Sequence, residues 1–302
     1  MPALVVLLVG LAGGAAFRRT TKIGTDAAHA VTFWVLNVAL PALALRVLHD
    51  VAFPRSIVAV IAVPYLLFAV TCALYLGLAR PLRLSREAVA ALIAATACAN
   101  TSFVGIPMVT AFFGTSQVPI AVLVDQLGSF MLLNTVVMIL VAVAGEDAGA
   151  AAPREIARGV LTAPPLLAVI AGLALRPVHY PHWLTEVLTQ LGDTLTPLAL
   201  FAIGLQLEFG AAWRWRRELT VGLVVKLLVA PGLIIAGYAL FGSLGDRAIQ
   251  VSLFEATMPP MVAGALMASR RNLANPLPSL LVGLGVPLSI LTCAGWSFLL
   301  HR

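Results

Sequence analysis

The sequence predicts an all-α integral membrane protein with ten transmembrane helices, arranged as two inverted five-helix repeats in which helices 4 and 9 are broken by prolines. Three observations predict this fold. Of 302 residues, 61% are hydrophobic and 11% charged, and the mean hydropathy is +1.00, whereas roughly a quarter of the residues of a soluble domain are charged. The apolar residues form runs of membrane-spanning length, and similar motifs recur in the same order in both halves of the chain.

A spanning helix needs about 20 mostly apolar residues to cross a hydrocarbon core of roughly 30 Å. The first apolar run is interpreted as an uncleaved span rather than a signal peptide, because its basic residues follow the run instead of preceding it. The ten predicted spans are residues 1–17, 28–49, 56–79, 88–112, 117–143, 158–177, 187–207, 219–241, 246–269 and 277–300.

The basic residues predict the orientation of the chain. By the positive-inside rule, the loops that carry most of them face the cytoplasm. Both termini are therefore predicted outside, in a multi-pass protein of the cell (plasma or inner) membrane. This distribution also accounts for the net charge of +6 without nucleic acid as a partner. Thirteen of the 19 basic residues follow odd-numbered spans: Arg18, Arg19, Lys22, Arg80, Arg83, Arg86, Arg154, Arg158, Arg214, Arg216, Arg217, Arg270 and Arg271.

The chain is predicted to consist of an N-terminal five-helix repeat at 1–145 and a C-terminal repeat at 155–302, joined by a short polar hinge. Because each repeat has an odd number of spans, the second enters the membrane inverted, an arrangement common in secondary transporters. Span 2 contains "LPALAL" at 40–45 and span 7 contains "TPLALF" at 196–201.

Prolines interrupt spans 4 and 9 at corresponding places. Pro107 in span 4 and the pair Pro259 and Pro260 in span 9 each remove a helical hydrogen bond. The carbonyls that they free must be buried in protein or face a watery cavity. Gly105 is expected to let the backbone unwind near Pro107. A proline kink satisfied by neighbouring helices is the alternative, but matched interruptions in both halves favour a substrate site at mid-membrane.

Small polar and charged residues accompany these interruptions. Asn100, Thr101 and Ser102 could bind a ligand or the exposed backbone. Charges inside a membrane are functional hypotheses by default, and Asp125 either acts in the site or lies near the outer interface. Lys226 either neutralises a substrate carboxylate or extends to the cytoplasmic surface.

Two further charged residues lie within predicted spans. Glu255, four residues before Pro259, either pairs with Lys226 or accepts a proton during transport. Arg46 is expected to act as an interfacial anchor at the end of span 2.

Five motifs in order resemble the auxin efflux carrier family, which includes plant auxin exporters and bacterial proteins described as malate or malonate permeases. The resemblance runs from about residue 4 to residue 300. It is carried by "NVALPALAL" at 37–45, "NTSFVGIPMVTAFFG" at 100–114, "TPLALFAIGLQL" at 196–207, "VVKLLVAPGLIIAGY" at 224–238 and "ATMPPMVAGALMA" at 256–268.

The resemblance implies the ten-helix inverted-repeat fold shared with bile acid sodium symporters. It implies a scaffold of spans 1, 2, 6 and 7 that often forms a homodimer, and a moving transport unit of spans 3–5 and 8–10. Spans 4 and 9 would cross as an X at Pro107 and at Pro259 or Pro260, and Asn100 matches an asparagine that binds the substrate carboxylate. The hinge is shorter than the cytoplasmic loop of many plant members, and "SRRNLANP" at 269–276 replaces their tyrosine-containing turn.

These observations predict a secondary transporter of a small organic anion, auxin-like or of the dicarboxylate type, that works by alternating access of the elevator type. Cation-coupled symport or antiport, or a channel of the same fold, is the alternative, and coupling to protons or sodium stays open. An enzyme is not expected because no nucleotide-binding loop, zinc motif or nucleophile motif occurs, and neither a cofactor nor a metal is expected. The candidate substrate site comprises Asn100, Thr101, Gly105, Ile106, Pro107, Asp125, Lys226, Glu255, Pro259 and Pro260.

Overall fold

A computed structural model describes residues 2–20, 24–49, 51, 53–145, 153–206 and 214–301. Within these ranges the chain is helical and contains no β-strand, so the predicted all-α class is confirmed. Most of the predicted hinge, the end of span 7 at Leu207, and the charged residues Lys22 and Arg302 lie outside the described residues.

The helices follow one another with short connections. Several contain or adjoin a five-residue π-helical segment, whose wider turn is often found at functional sites. These segments are Val35–Ala39, Thr101–Gly105, Asp125–Ser129, Leu133–Val137 and Val225–Val229. The α-helices are α1 (Pro2–Thr20), α2 (Gly24–Trp34), α3 (Leu40–His49), α4 (Ile57–Ala79), α5 (Arg86–Thr96), α6 (Ile106–Phe113), α7 (Val118–Val124), α8 (Phe130–Leu132), α9 (Met138–Ala144), α10 (Pro153–Leu161), α11 (Pro164–Ala174), α12 (His182–Asp193), α13 (Leu195–Gln206), α14 (Arg216–Val224), α15 (Ala230–Leu240), α16 (Arg247–Ala256), α17 (Val262–Arg270) and α18 (Leu277–Leu300).

Six helical stretches in the described part of the chain are long and apolar enough to cross a membrane. They correspond to predicted spans 2, 3, 5, 7, 8 and 10. Of the remaining predicted spans, span 1 corresponds to α1, span 6 is divided between α10 and α11, and spans 4 and 9 are divided by a non-helical interruption inside the apolar run. The six are Asp26–His49, Ile57–Ala79, Thr115–Ala144, His182–Gln206, Arg216–Leu240 and Leu277–Leu300.

Helix group 1 consists of α1–α3 and α11–α13. In this group α1 and α2 pack against α13, and α3 packs against α11 and α12. Small residues allow the close approach of α1 and α13, since a Cβ on Gly14 would lie only 2.8 Å from the Cα of Gly204. Such small-residue contacts drive helix association where lipid removes the hydrophobic driving force.

Helix group 2 consists of α4–α9 and α14–α18. Here α5 packs against α17 and α18, and α4 packs against α16. Local sequence sets some of the helix starts: Ser85 caps α5 by accepting from the N–H of Ala88 at 3.1 Å, a typical use of a serine side chain. The two groups meet where α13 contacts Thr101–Gly105, where α1 contacts α6 and where α3 contacts α7.

Candidate functional site

Two interrupted helices meet in the interior of helix group 2. The first interruption, residues 97–100, separates α5 from Thr101–Gly105, and the second, residues 257–261, separates α16 from α17. We call them break 1 and break 2. Ala99 and Pro260 form an antiparallel β-bridge.

Two backbone hydrogen bonds close the bridge. The N–H of Asn100 donates to the carbonyl of Pro259 at 3.1 Å, and the N–H of Met261 donates to the carbonyl of Ala95 at 2.7 Å. Break 2 therefore supplies an acceptor for break 1, and the last turn of α5 supplies one for break 2, so that these buried backbone N–H groups are satisfied as a membrane interior requires.

The prolines relate differently to the two breaks. Pro259 and Pro260 lie within break 2, where their missing N–H groups prevent a continuous helix. Pro107 lies after break 1, in a helix that runs without a gap from the π-helical segment Thr101–Gly105 into α6, and a π-helical turn is one of the adjustments that make proline tolerable in a transmembrane helix. The prediction that Pro107 marks the interruption of span 4 is therefore wrong by several residues, although Pro107 and its neighbour Ile106 are both buried.

Asp125 joins break 1 to the next transmembrane helix. Its side chain is wholly buried in the protein. Oδ1 accepts hydrogen bonds from the hydroxyls of Thr101 and of Ser102, the latter at 2.6 Å, and Oδ2 accepts from Nε2 of Gln126 at 2.7 Å. The two π-helical segments that carry these residues are thus held together by one carboxylate.

Glu255 occupies the last turn of α16, directly before break 2, and is also wholly buried. Neither of its carboxylate oxygens has a hydrogen-bond partner in the described part of the chain. The carboxylate lies against Gly105, where an added Cβ would be 2.7 Å from Oε1 and closer still to Oε2. Asp125 lies near enough to act on it electrostatically.

Gly105 was predicted to let the backbone unwind, but the structure indicates a different role for this glycine. Its backbone is helical, with φ −63° and ψ −55°, so no unusual conformation requires glycine here. Glycine is needed because the carboxylate of Glu255 occupies the space that a side chain would fill.

Lys226 lies in the π-helical segment Val225–Val229 and is wholly buried. Extension of its side chain to the cytoplasmic surface is therefore excluded. Among the described residues its Nζ has no hydrogen-bond partner, so the predicted pairing with Glu255 is not formed. It lies near the thiols of Cys98, in break 1, and Cys293; Cys293 in turn contacts Thr257 of break 2, with Sγ 3.7 Å from Oγ1.

Other polar atoms near the breaks are also buried without partners within the described ranges. They are Nδ2 of Asn100, Oε1 of Gln126 and Oγ of Ser129. A buried polar group without a partner costs about 1–3 kcal/mol, so a cluster of them marks a place where a ligand or a conformational change can supply the missing bonds.

A narrow gap beside Glu255 is closed. It is lined within helix group 2 by Pro64, Thr101, Ser129, Ser252 and Glu255, among others, and leaves no room for a water molecule. The candidate site predicted from the sequence does not include Gln126, Ser129 or Ser252. Helical spacing could have indicated the serines, since Ser129 follows Asp125 by four positions and Ser252 precedes Glu255 by three.

Comparison with known proteins identifies the family of the chain. The family described as "Membrane transport protein" matches residues 1–297, nearly the whole chain. The chain belongs to this family. The resemblance to the auxin efflux carrier family is thereby confirmed at the family level, and the protein is a membrane transporter rather than an enzyme.

Two archaeal relatives extend over most of the chain. A protein of Methanothermobacter thermautotrophicus named "Uncharacterized transporter" is 23% identical over 281 residues, which cover 92% of this chain and 91% of the relative. A protein of Methanocaldococcus jannaschii, also named an uncharacterized transporter, is 22% identical over 286 residues, covering 88% of this chain and 87% of the relative. Both names agree with membrane transport.

Proposed function

We propose that the protein is a secondary transporter of a small organic anion, an auxin-like or dicarboxylate-type carboxylate, which binds at the paired breaks. The observation that carries the proposal is the amide of Asn100. Its Nδ2 is buried at the start of the helical segment that follows break 1 and has no partner among the residues that the structure describes. A carboxylate at this position would receive that hydrogen bond and would face the positive ends of the half-helices that begin after each break.

Charge balance adds support. Asp125 and Glu255 lie beside the breaks, and Lys226 lies near Cys98 of break 1. A bound carboxylate would add another negative charge, which costs several kcal/mol in a buried site unless it is compensated. Lys226 supplies one positive charge, and a proton or cation on Glu255 would remove one negative charge.

A cation-coupled symporter or antiporter is the second candidate function. It is favoured by the carboxylate of Glu255, whose two oxygens are both buried without hydrogen-bond donors in the described structure. Such oxygens can accept a proton or coordinate a sodium ion. Under this function the protein would either couple the flux of the cation to that of the organic anion or transport the cation without an organic anion.

The proposed architecture is two inverted five-helix repeats at 1–145 and 155–302, with ten spans. One break in each half supports it. We further propose an elevator movement in which helix group 2 slides against helix group 1. The helices pack mainly within each group, and this division supports such a movement. The homodimer through spans 1, 2, 6 and 7 and the external location of both termini stay predictions.

Uptake into proteoliposomes tests the proposal. Purified wild-type protein would be assayed with labelled mono- and dicarboxylates, beside Asn100→Ala and the control Asn134→Ala. Asn134 is an amide in a neighbouring π-helical segment that bonds its own helix at Phe130. Loss of a hydrogen bond to a charged group, about 1.5–3 kcal/mol, should weaken apparent affinity for Asn100→Ala about tenfold to a hundredfold.

Normal affinity of the Asn100→Ala protein, or equal losses in both variants, would remove the carboxylate assignment. The coupling mode is separated by repeating uptake with and without a sodium or pH gradient. Proton or sodium flux in the absence of any organic substrate would favour the second candidate, and loss of the gradient dependence in Glu255→Gln would assign the coupling to that residue.

A further inference from the structure

A second cavity lies away from the breaks, at one end of the helix bundle. Its volume is about 580 Å³, within the usual range of small-molecule sites, about 300–1,000 Å³. It is bordered by the end of α3, the turn between α6 and α7 and the start of α16, all of which lie at the predicted outer face. Its polar lining consists of Arg46, Ser116, Gln117, Asp246 and Arg247.

Arg247 is held in place by neutral partners. Nη1 donates to Oε1 of Gln250 at 3.0 Å, and Nη2 lies 3.2 Å from Nε2 of His301. The guanidinium also stacks over the ring of Phe113, 4.5 Å from its centroid. Because none of these three contacts supplies a negative charge, the guanidinium is oriented without being neutralised, which lowers the entropic cost of binding an anion.

Asp246, the residue before Arg247, has a carboxylate that already accepts hydrogen bonds from other groups. Oδ1 of Asp246 accepts from the N–H groups of Ala248 and Ile249 and so caps α16, while Oδ2 accepts from the hydroxyl of Ser56 at 2.5 Å. The lining therefore carries two positive side chains and one carboxylate whose oxygens already have donors.

Arg46 faces the cavity from the opposite helix group. Its Nη1 donates to Oγ1 of Thr189 at 3.3 Å, and its Nη2 lies 4.0 Å from Oδ1 of the exposed Asp193. Its Nε is buried without a partner in the described residues. Arg46 belongs to α3 of helix group 1 and Arg247 to α16 of helix group 2, so the distance between them changes whenever the groups move.

We propose that this cavity is an anion-binding vestibule, in which the carboxylate of a small organic anion binds between Arg46 and Arg247 on its way to or from the breaks. This inference rests on the proposed function, because the vestibule would be a second binding site for the same class of substrate. Guanidinium groups suit the task because their planar donors match a carboxylate. A positive, partly enclosed vestibule also concentrates anions before they enter.

A chemical test can examine the vestibule without transport. Gln117→Cys places a thiol in the cavity wall. Purified full-length protein in detergent would be treated with anionic, neutral and cationic methanethiosulfonate reagents, with wild type as the background for the native cysteines. We expect the anionic reagent to react about tenfold faster than the neutral one, since a positive cavity raises local anion concentration. This preference should disappear when Arg46→Gln and Arg247→Gln are added.

Two controls accompany the labelling. Arg55→Gln removes a nearby exposed arginine outside the cavity lining, and it should leave the preference unchanged. Arg247→Lys keeps the charge and should retain most of the preference, even if the glutamine variant fails to fold. Millimolar carboxylate should slow labelling of Gln117→Cys, also when Asn100→Ala is present.

The outcomes separate the two proposals. Equal labelling rates for the three reagents, unaffected by the arginine variants, would overturn the vestibule even if carboxylate uptake were normal. A charge preference with protection by carboxylate but without any carboxylate uptake would keep the vestibule and reject the proposed transport function.

Discussion

Break 1 and break 2 each have a buried carboxylate beside them, and the two carboxylates are in opposite situations. Asp125, beside break 1, accepts hydrogen bonds from Thr101, Ser102 and Gln126. Glu255, beside break 2, accepts none within the described structure and is confined by Gly105. The comparison indicates that Asp125 fixes the shape of its break, whereas Glu255 is available for a proton, a cation or a change of conformation.

The largest expected effect is a difference in the free energy of unfolding between Asp125→Ala and Glu255→Ala. Removal of Asp125 leaves three buried donors without an acceptor, so we expect a loss of about 2–4 kcal/mol in the free energy of unfolding. Removal of Glu255 leaves no donor unsatisfied and should leave stability unchanged or increased. Thermal unfolding of the purified variants in one detergent measures the difference. Equal destabilisation by both substitutions would contradict the conclusion that the two carboxylates have different roles.

The second-largest expected effect is a loss of stability when the contact between Gly105 and Glu255 is overpacked. Gly105→Ala places a methyl group against the carboxylate and should cost about 1–3 kcal/mol by overpacking. The double variant Gly105→Ala with Glu255→Ala should recover most of this loss, while pairing Gly105→Ala with Glu255→Gln should not, because glutamine keeps the volume of the side chain.

Gly77→Ala serves as the control for this cycle, since no atom of the described residues lies within 4 Å of a Cβ at that position. The two members of the double variant should show a coupling energy, which contacting residues produce and independent residues do not. Additive effects of Gly105→Ala and Glu255→Ala would mean that the two side chains do not share this space.

Pro107→Ala should have the smallest effect. Pro107 lies after break 1, which is held open by the cross-bonds from Asn100 and Met261. We expect a change in stability below about 1 kcal/mol, because the π-helical turn before Pro107 already accommodates its missing N–H. Uptake should stay close to wild type in proteoliposomes; a loss as large as that of Pro260→Ala would show that Pro107 maintains the break.

Much of the fold followed from local sequence features. Continuous apolar runs such as Ile57–Ala79 and Leu277–Leu300 are helical over almost their predicted lengths, because in a membrane the helix satisfies its own backbone. The presence of interruptions in spans 4 and 9 was also predictable from Asn100 to Pro107 and from the Pro259 and Pro260 pair.

The site could be predicted only in outline. The approach of Glu255 to Gly105 joins residues from opposite halves of the chain, and no local pattern encodes such a contact. The same holds for Lys226, whose depth depends on packing by helices distant in sequence, and for the position of break 1, which is fixed by hydrogen bonds to break 2 rather than by Pro107 alone.

Binding of carboxylates to the purified protein tests the central claim, that the paired breaks form the substrate site, most directly. Thermal shifts would be measured for wild type, Asn100→Ala and Asn134→Ala against mono- and dicarboxylates, since a ligand that binds only the folded state raises its stability. The account predicts at least one carboxylate that stabilises wild type and Asn134→Ala but not Asn100→Ala. An equal shift in all three proteins, or no shift with any carboxylate in protein that is folded and active in transport of another solute, would contradict it.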